Sequence, residues 1–288
     1  MLTIRTSVEE LGTLTFEPAR EGVLSWNTFA ENGTIALRLL RAYAPATPWL
    51  THAQWSPDGG LSFSPKHDDV RIDVDVIRAS RPFDGMEVRA PGVDFNALAF
   101  ATPVRCTPSL PYIGEARILD VPLRSQYVTQ GERGWCSAAS LSMINAYHGL
   151  DYSVEATARA VFDRAYNGTG NWSFNVAFSG SLGLRACVVY LRNLDHAQRL
   201  IEAGIPLAIS YSWSESELPG APLEHSDGHL AVLCGFTANG DCAFNDPASP
   251  NVRVVYKRAA IERIWQRNNG IAYAIAPLGL DFVEIVNA

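Results

Sequence analysis

The chain has 288 residues, of which 47% are hydrophobic and 18% charged, and its formal net charge at pH 7 is −7. This composition excludes wholesale disorder and allows one large folded domain or two smaller ones. The negative charge argues against a surface that binds nucleic acid or an anionic membrane. The sequence also lacks the run of about 18 apolar residues that predicts a membrane span.

The five cysteines are spaced too irregularly to indicate a disulfide framework, and no Cys-x-x-Cys pair suggests a zinc site. The first residues lack the basic segment followed by an apolar segment that is typical of a signal peptide. We therefore expect a cytoplasmic protein that needs no cofactor or metal. Secretion or a cell-surface location is the alternative.

Residues 1–104 are predicted to form an all-β domain. Val70–Val76 alternates apolar and charged residues, as a half-buried strand does, and turn sequences such as Pro57-Asp58-Gly59-Gly60 separate short apolar segments. This pattern favours a β-sandwich or jelly roll. Trp26, Trp49 and Trp55 belong either to its core or to a sugar-stacking platform. A carbohydrate or cell-surface ligand is therefore a hypothesis that rests on architecture alone.

Residues 105–117 are the predicted linker, because prolines cluster at positions 103, 108 and 111. Residues 118–288 are predicted to form an α+β domain in which helices precede an antiparallel sheet. The predicted helices begin near Cys136, Ser153, Leu194 and Arg258. The predicted strands are Ala186–Leu191, Leu207–Trp213, His229–Phe236, Asp241–Asn245, Val252–Tyr256 and Ile271–Ile275.

The second domain is organised around a glutamine, Gln130, that is followed six residues later by Cys136. Helical spacing runs from Ala138 to His148, and Gly149 is a suitable stop, so Cys136 is predicted to lie in the first turn of a helix. There the unpaired backbone N–H groups and the helix dipole favour a thiolate. The competing interpretation is a buried core cysteine, which describes most cysteines.

A general base for Cys136 has few candidates among the six histidines. His148 lies 12 residues further along the same helix, or about 18 Å away. Two others fall in the predicted all-β domain and one on a short surface helix. His225 and His229 remain, and His229 begins an apolar strand at the rim of the predicted sheet. A histidine at that place can also be purely structural.

Asp246 closes the next strand, and Pro247 keeps it extended. A carboxylate there can accept a bond from the second nitrogen of His229 and so fix its tautomer. It can also be an ordinary turn residue. A tight turn on Asn239-Gly240 leaves His229 and Asp246 on one face but four positions out of line, so contact requires a wider loop or a bulge.

His225, Asp227 and His229 alternate along the chain, which is also a weak pattern for a metal site, since no second cluster of ligands accompanies it. His225 and Asp227 are better interpreted as residues that line the entrance to a cleft. Together with Trp135, which precedes the cysteine, they are the candidate contacts with a substrate.

Residues 118–277 resemble the papain-like cysteine peptidases of the bacteriocin-processing, double-glycine leader type. The matching pieces include Gln130, Cys136 with the Ala-Ala-Ser that follows Ser137, residues 228–236 and residues 245–248. The resemblance implies a papain-like fold and a peptide or protein substrate. It makes Cys136 the nucleophile, His229 the general base and acid, Asp246 the orienting residue and Gln130 the oxyanion-hole donor. Ser137 stands where that family often has glycine.

The first functional interpretation is a cysteine peptidase that hydrolyses peptide or isopeptide bonds. An acyltransferase of the transpeptidase or transglutaminase type, using the same triad, is one alternative, and products formed with an added amine or thiol would distinguish it. A catalytically inactive binding protein is the other. Its Cys136 would react no faster than a free thiol. Since no transporter domains are evident in the sequence, we do not expect cleavage of leader peptides during export.

Overall fold

The computed structural model describes residues 1–112, 114–128 and 134–288. These residues divide into two compact units, one of Met1–Pro103 with Arg159–Val188 and the other of Val104–Ala158 with Val189–Ala288. Both helices and antiparallel sheets are present, so the predicted α+β class is confirmed. None of the described helices is both long enough and apolar enough to cross a bilayer.

The described strands and helices are numbered along the chain. The strands are β1 (Leu2–Val8), β2 (Leu11–Asn27), β3 (Gly33–Arg41), β4 (Ala44–Pro45), β5 (Leu50–Ser56), β6 (Gly59–Ser62), β7 (Lys66–His67), β8 (Val70–Asp73), β9 (Val76–Arg89), β10 (Phe95–Ala101), β11 (Arg117–Ile118), β12 (Leu184–Tyr190), β13 (Leu207–Trp213), β14 (Ser226–Phe236), β15 (Cys242–Asn245), β16 (Arg253–Tyr256) and β17 (Ile271–Pro277). The helices are α1 (Cys136–Tyr147), α2 (Val154–Val161), α3 (Trp172–Ser181), α4 (Leu194–Glu202), α5 (Arg258–Arg267) and α6 (Val283–Asn287).

The first unit is built on one antiparallel sheet formed by β1 to β10. Its strands follow the order β1-β10-β2-β9-β3-β5-β6, with β4 paired to β3 and the β7–β8 hairpin attached to β9. The predicted β-sandwich or jelly roll is not confirmed. Alternation and turn signals predict antiparallel strands, but they do not say how the sheet is folded or what covers it.

Helix α3 packs against β2 and completes the apolar core of this unit. Phe174 meets Trp26 edge to face, with 5.9 Å between ring centroids. The buried side chain of Asn27 donates to the carbonyl of Ala186 at 2.9 Å and accepts from its N–H at 3.1 Å. Residues 159–188 are therefore an integral part of the unit that contains the first 103 residues.

The three tryptophans considered for a sugar-stacking platform do not share one exposed face. Trp26 is 1% exposed and lies in the core. Trp55 is half-buried and packs on Trp26 with 5.8 Å between ring centroids. The guanidinium groups of Arg38 and Arg89 lie over the ring of Trp49, 4.8 and 4.2 Å from its centroid. The core interpretation thus holds for Trp26.

The segment Val70–Val76 is not the single strand predicted from its alternation. Val74 adopts a positive φ of 61°, and a hairpin connects β8 to β9 there, with Asp73 opposite Val76. Asp75 turns inward, is 6% exposed and accepts the N–H of Trp172 at 2.6 Å. A contact with a residue almost a hundred positions later thus interrupts a pattern that looks regular along the sequence.

In the second unit the strands follow the order β17-β13-β14-β15-β16, with β11 paired to β14. Helix α1 packs against β13 and β14, and α5 packs against β13. The residues predicted as a linker are hydrogen-bonded along this unit. For example, Ser109 N–H donates to Glu262 at 2.8 Å, and Leu110 N–H donates to Asp195 at 2.8 Å. The predicted domain boundaries at residues 104 and 118 stay a prediction.

Replacing Asn27 by alanine tests the role of residues 159–188 in the first unit. We expect Asn27→Ala to lower the free energy of unfolding by about 2–4 kcal/mol, because it leaves the buried N–H and C=O of Ala186 unpaired. Urea unfolding followed by circular dichroism measures the loss. Asn32, exposed in a turn, is the matched control, and Asn32→Ala should stay within about 0.5 kcal/mol of the unmodified protein. Equal effects of the two substitutions would contradict this role.

Candidate active site

Cys136 is the first residue of α1, as its sequence context predicts. Trp135 is the N-cap but makes no side-chain capping bond, and its carbonyl accepts the N–H of Ala139 at 2.9 Å. Cys136 is half-buried, whereas the residues that follow it up to Asn145 are buried. The first backbone N–H groups of the helix and its dipole therefore act on a sulfur atom that retains some exposure.

The packing of α1 on β14 brings Cys136 to His229. The hydroxyl of Ser140, one turn further along α1, donates to the carbonyl of Leu230 at 3.0 Å. The His229 side chain and the backbone of Leu230 and Ser137 lie close enough to the Cys136 sulfur to favour its thiolate and lower the pKa of the thiol. Small residues after the cysteine allow this close approach of helix and strand.

His229 Nε2 donates to Asp246 Oδ1 at 2.8 Å. The ring must be the donor because an ionised carboxylate has no hydrogen to offer. The other ring nitrogen, Nδ1, is thus the one available to Cys136. Both residues of the pair are inaccessible, since the His229 side chain is 3% exposed and that of Asp246 0%.

The contact between His229 and Asp246 depends on the irregular pairing of β14 with β15, as the sequence analysis requires. A loop of residues 237–241 replaces the tight turn, and the register shifts between Leu233 and Gly235. Beyond this bulge Val232 faces Asn245, so Asp246 comes two positions from His229 on the same face. That diagonal distance is within reach of an imidazole and a carboxylate.

Glycine is required at the bulge because the backbone of β11, which pairs with β14, lies directly against it. Gly235 has a φ of 158°, and a Cβ atom built there would lie 1.9 Å from the carbonyl oxygen of Arg117. No side chain can occupy that space without moving β11. This close backbone approach preserves the register in which His229 reaches Asp246.

Asp246 receives two further hydrogen bonds. The N–H of Ala248 donates to Oδ1 at 3.0 Å, and the hydroxyl of Tyr256 donates to Oδ2 at 2.8 Å. Both carboxylate oxygens are therefore solvated by the protein in place of water. A buried carboxylate stays ionised only under such conditions.

The three groups shift one another's pKa in the directions that favour an ion pair. Burial acts to raise the pKa of the Cys136 thiol, yet the hydrogen bond and charge of His229 lower it below its ordinary value. Burial acts to lower the pKa of His229, but Asp246 and Cys136 raise it to about 10. Burial opposes ionisation of Asp246, and the bonds from His229 and Tyr256 still hold its pKa below the usual range.

Two aromatic rings of β13 flank the His229 imidazole. The centroids of Tyr211 and Trp213 each lie 5.6 Å from that of His229, with interplanar angles of 87° and 79°. Tyr211 is directly opposite His229 in the strand pairing. The rings restrict rotation of the imidazole and exclude water from one side of it.

Of the remaining predicted site residues, Gln130 lies outside the described residues. His225 is exposed just before β14, Asp227 is exposed at the second position of β14, and Trp135 is half-buried. These three are not hydrogen-bonded to the side chains of Cys136, His229 or Asp246. Across the part of the chain that the structure describes, no group of three or more metal-type side chains could hold an ion. The metal interpretation of residues 225–229 therefore has no support in the geometry.

The sequence analysis missed Tyr211, Trp213 and Tyr256. For the first two a signal exists, because aromatic residues at alternating positions of a predicted strand share one face. Tyr256 offers none. It ends a strand of four residues, and its hydrogen bond to Asp246 is formed only in the folded chain.

Residues 118–273, just over half of the chain, match the Peptidase C39-like family. The chain belongs to this family. No curated protein matches the sequence.

Similar solved structures include two peptidases. A C39-like peptidase from Bacillus anthracis is 18% identical over 57% of this chain and 98% of its own, with a TM-score of 0.44. A double-glycine motif protease from an AMS/PCAT transporter, solved in complex with the leader peptide, is 19% identical. It covers 56% of this chain and 94% of its own, with a TM-score of 0.41.

The reactivity of Cys136 toward an alkylating reagent should persist well below the usual thiol pKa of about 8.5. Because the folded protein lowers the pKa of Cys136, the thiolate is present above that lowered value and is lost as the pH falls through it. His229→Ala removes the main cause of the lowering, so its profile should move up toward about 8.5. Measuring the alkylation rate from about pH 4 to 10 tests this.

Two variants serve as controls for this measurement. Cys136→Ala supplies the background from the other four cysteines. His225→Ala removes an exposed histidine four residues from His229 and should leave the profile unchanged. A rate that simply climbs around pH 8.5 and ignores His229 would identify Cys136 as an ordinary cysteine.

Proposed function

We propose that this protein is a cysteine peptidase that hydrolyses peptide or isopeptide bonds with Cys136, His229 and Asp246 as its catalytic triad. The observation that carries the proposal is that His229, bonded to Asp246 at 2.8 Å, lies beside Cys136 and lowers the pKa of its thiol. Membership of the Peptidase C39-like family supports the same reaction class. Nucleophile, base and orienting group thus stand in the relation that covalent catalysis requires.

In this mechanism the Cys136 thiolate attacks the carbonyl carbon of the scissile bond. The backbone N–H of Cys136 and the side chain of Gln130 are the proposed donors to the resulting oxyanion, the latter from the family resemblance. One such donor is worth roughly 3 kcal/mol in other enzymes. His229 then protonates the leaving amine, which releases the first product and leaves a thioester on Cys136.

Hydrolysis of the thioester uses the same residues in reverse. His229 takes a proton from water, the hydroxide attacks the acyl carbon, and the sulfur leaves as a thiolate. Asp246 remains ionised throughout and keeps Nδ1 of His229 directed at Cys136. Its complete burial and three donors suit this fixed role.

Residues near the triad are the proposed contacts with the peptide. Trp135 is half-buried and directly precedes Cys136 at the N-terminus of α1. His225 and Asp227 are exposed just ahead of His229. In the loop that precedes β14, Glu217 already accepts from Arg267 at 2.8 Å, so its charge is neutralised within the protein. Asp227, which is exposed, is a better candidate for a basic group on a substrate.

Peptide cleavage by the full chain tests the proposal. We expect a peptide library to yield new termini, with ¹⁸O from labelled water in the new carboxylates, because water resolves the thioester. Cys136→Ala should abolish cleavage, and Asp246→Asn should reduce kcat by roughly 10²-fold or more, since the orienting carboxylate is lost. His225→Ala separates effects on substrate binding from effects on chemistry and should leave kcat unchanged.

Adding a primary amine distinguishes hydrolysis from transfer. Products that carry the amine in place of ¹⁸O would show that the enzyme is an acyltransferase and not a hydrolase. A thiolate of lowered pKa combined with no cleavage of any peptide would contradict the peptidase proposal. A Cys136 of ordinary reactivity would point to a binding protein.

A further inference from the structure

We propose that Tyr256 is a positioning residue of this site, which acts through Asp246 to keep the Cys136–His229 pair ionised. The inference rests on the proposed function, since it concerns the same triad. It adds a fourth side chain that neither touches the substrate nor contacts Cys136. The argument depends on how the two oxygens of Asp246 are occupied.

The two carboxylate oxygens of Asp246 have different partners. Oδ1 is shared by His229 Nε2 and the N–H of Ala248, at 2.8 and 3.0 Å. Oδ2 accepts the Tyr256 hydroxyl at 2.8 Å, and this is its one donor among the described residues. Tyr256 is itself 1% exposed, at the end of β16 opposite Cys242 of β15. Water therefore has little access to replace the tyrosine.

Removing the Tyr256 hydroxyl acts on Cys136 indirectly, first through Asp246 and then through His229. An unsolvated Oδ2 makes the buried charge costly, so the pKa of Asp246 rises. A carboxyl group that has gained a proton no longer stabilises the imidazolium of His229. His229 then loses its proton more readily, and the thiolate of Cys136 loses the charge that holds its pKa down.

Tyr211 provides a matched control inside the same site. Its side chain is 0% exposed, its ring is perpendicular to that of His229, and its hydroxyl has no hydrogen-bond partner among the described residues. Burial raises the pKa of both phenols well above the ordinary value, so both stay protonated at neutral pH. The two tyrosines thus differ in whether the hydroxyl donates to Asp246.

The experiment measures the pH dependence of Cys136 alkylation in the full chain with Tyr256→Phe and Tyr211→Phe. We expect Tyr256→Phe to move the midpoint upward by about one pH unit, so that alkylation below the midpoint becomes about tenfold slower. Tyr211→Phe retains the ring against His229 and removes a hydroxyl that gives Asp246 no hydrogen bond, so it should shift the midpoint clearly less than Tyr256→Phe does. A purely structural loss of a buried hydroxyl would shift the midpoint equally in the two variants.

Two further variants connect the effect to Asp246. In an Asp246→Asn background the added Tyr256→Phe change should give no further shift, because its route to His229 is already broken. Tyr256→3-fluorotyrosine preserves the fold and strengthens the donor, so it should move the midpoint downward. This variant decides the question where Tyr256→Phe proves too unstable to titrate.

The outcomes separate this inference from the proposed function. The unmodified protein can show a lowered midpoint while Tyr256→Phe causes no shift, or while both phenylalanine variants shift equally. Either result would overturn the role of Tyr256 and leave the peptidase proposal standing. Independent shifts from Tyr256→Phe and Asp246→Asn would also overturn it. An unmodified protein without a low-pKa thiolate would sink the peptidase proposal and the role of Tyr256 together.

Discussion

One buried charge, the Asp246 carboxylate, is the constraint on which the site depends. It has no exposed surface, and His229, Ala248 and Tyr256 donate to it in place of water, as a buried ionised carboxylate requires. The bulge at Gly235 provides the register in which His229 reaches it. Cys136 lies at the far end of this series, where the hydrogen bond and charge of His229 lower the pKa of its thiol.

The parts of the site that could be predicted are those that have local causes. The small residues after Cys136 and the stop at Gly149 predict the helix that begins at Cys136. Gly149 has a φ of 84°, which favours glycine at the end of a helix. Strand β13 has the predicted bounds and helix α5 begins at the predicted residue, because periodicity and flanking residues within one segment predict them. The need for a wider loop or a bulge between His229 and Asp246 followed from counting residues along two strands.

The parts that could not be predicted arise from contacts between distant segments. At the hairpin near Val74, Asp75 accepts the N–H of Trp172, and at the bulge the backbone of β11 lies against Gly235. The hydroxyl of Tyr256 reaches Asp246 from β16, ten residues further along the chain. Alternation and helical spacing describe one element at a time and contain no information on which elements become neighbours.

The segment 159–188 joins two parts of the chain that look separate along the sequence. It lies inside the region that matches the Peptidase C39-like family, yet it belongs to the unit built on the first 103 residues. Phe174 lies in the core of that unit, and Ala186 exchanges both of its backbone hydrogen bonds with Asn27. A fragment without the N-terminal sheet would expose Phe174 and leave Ala186 unpaired. The family region of this protein is therefore completed by residues that lie outside the family match.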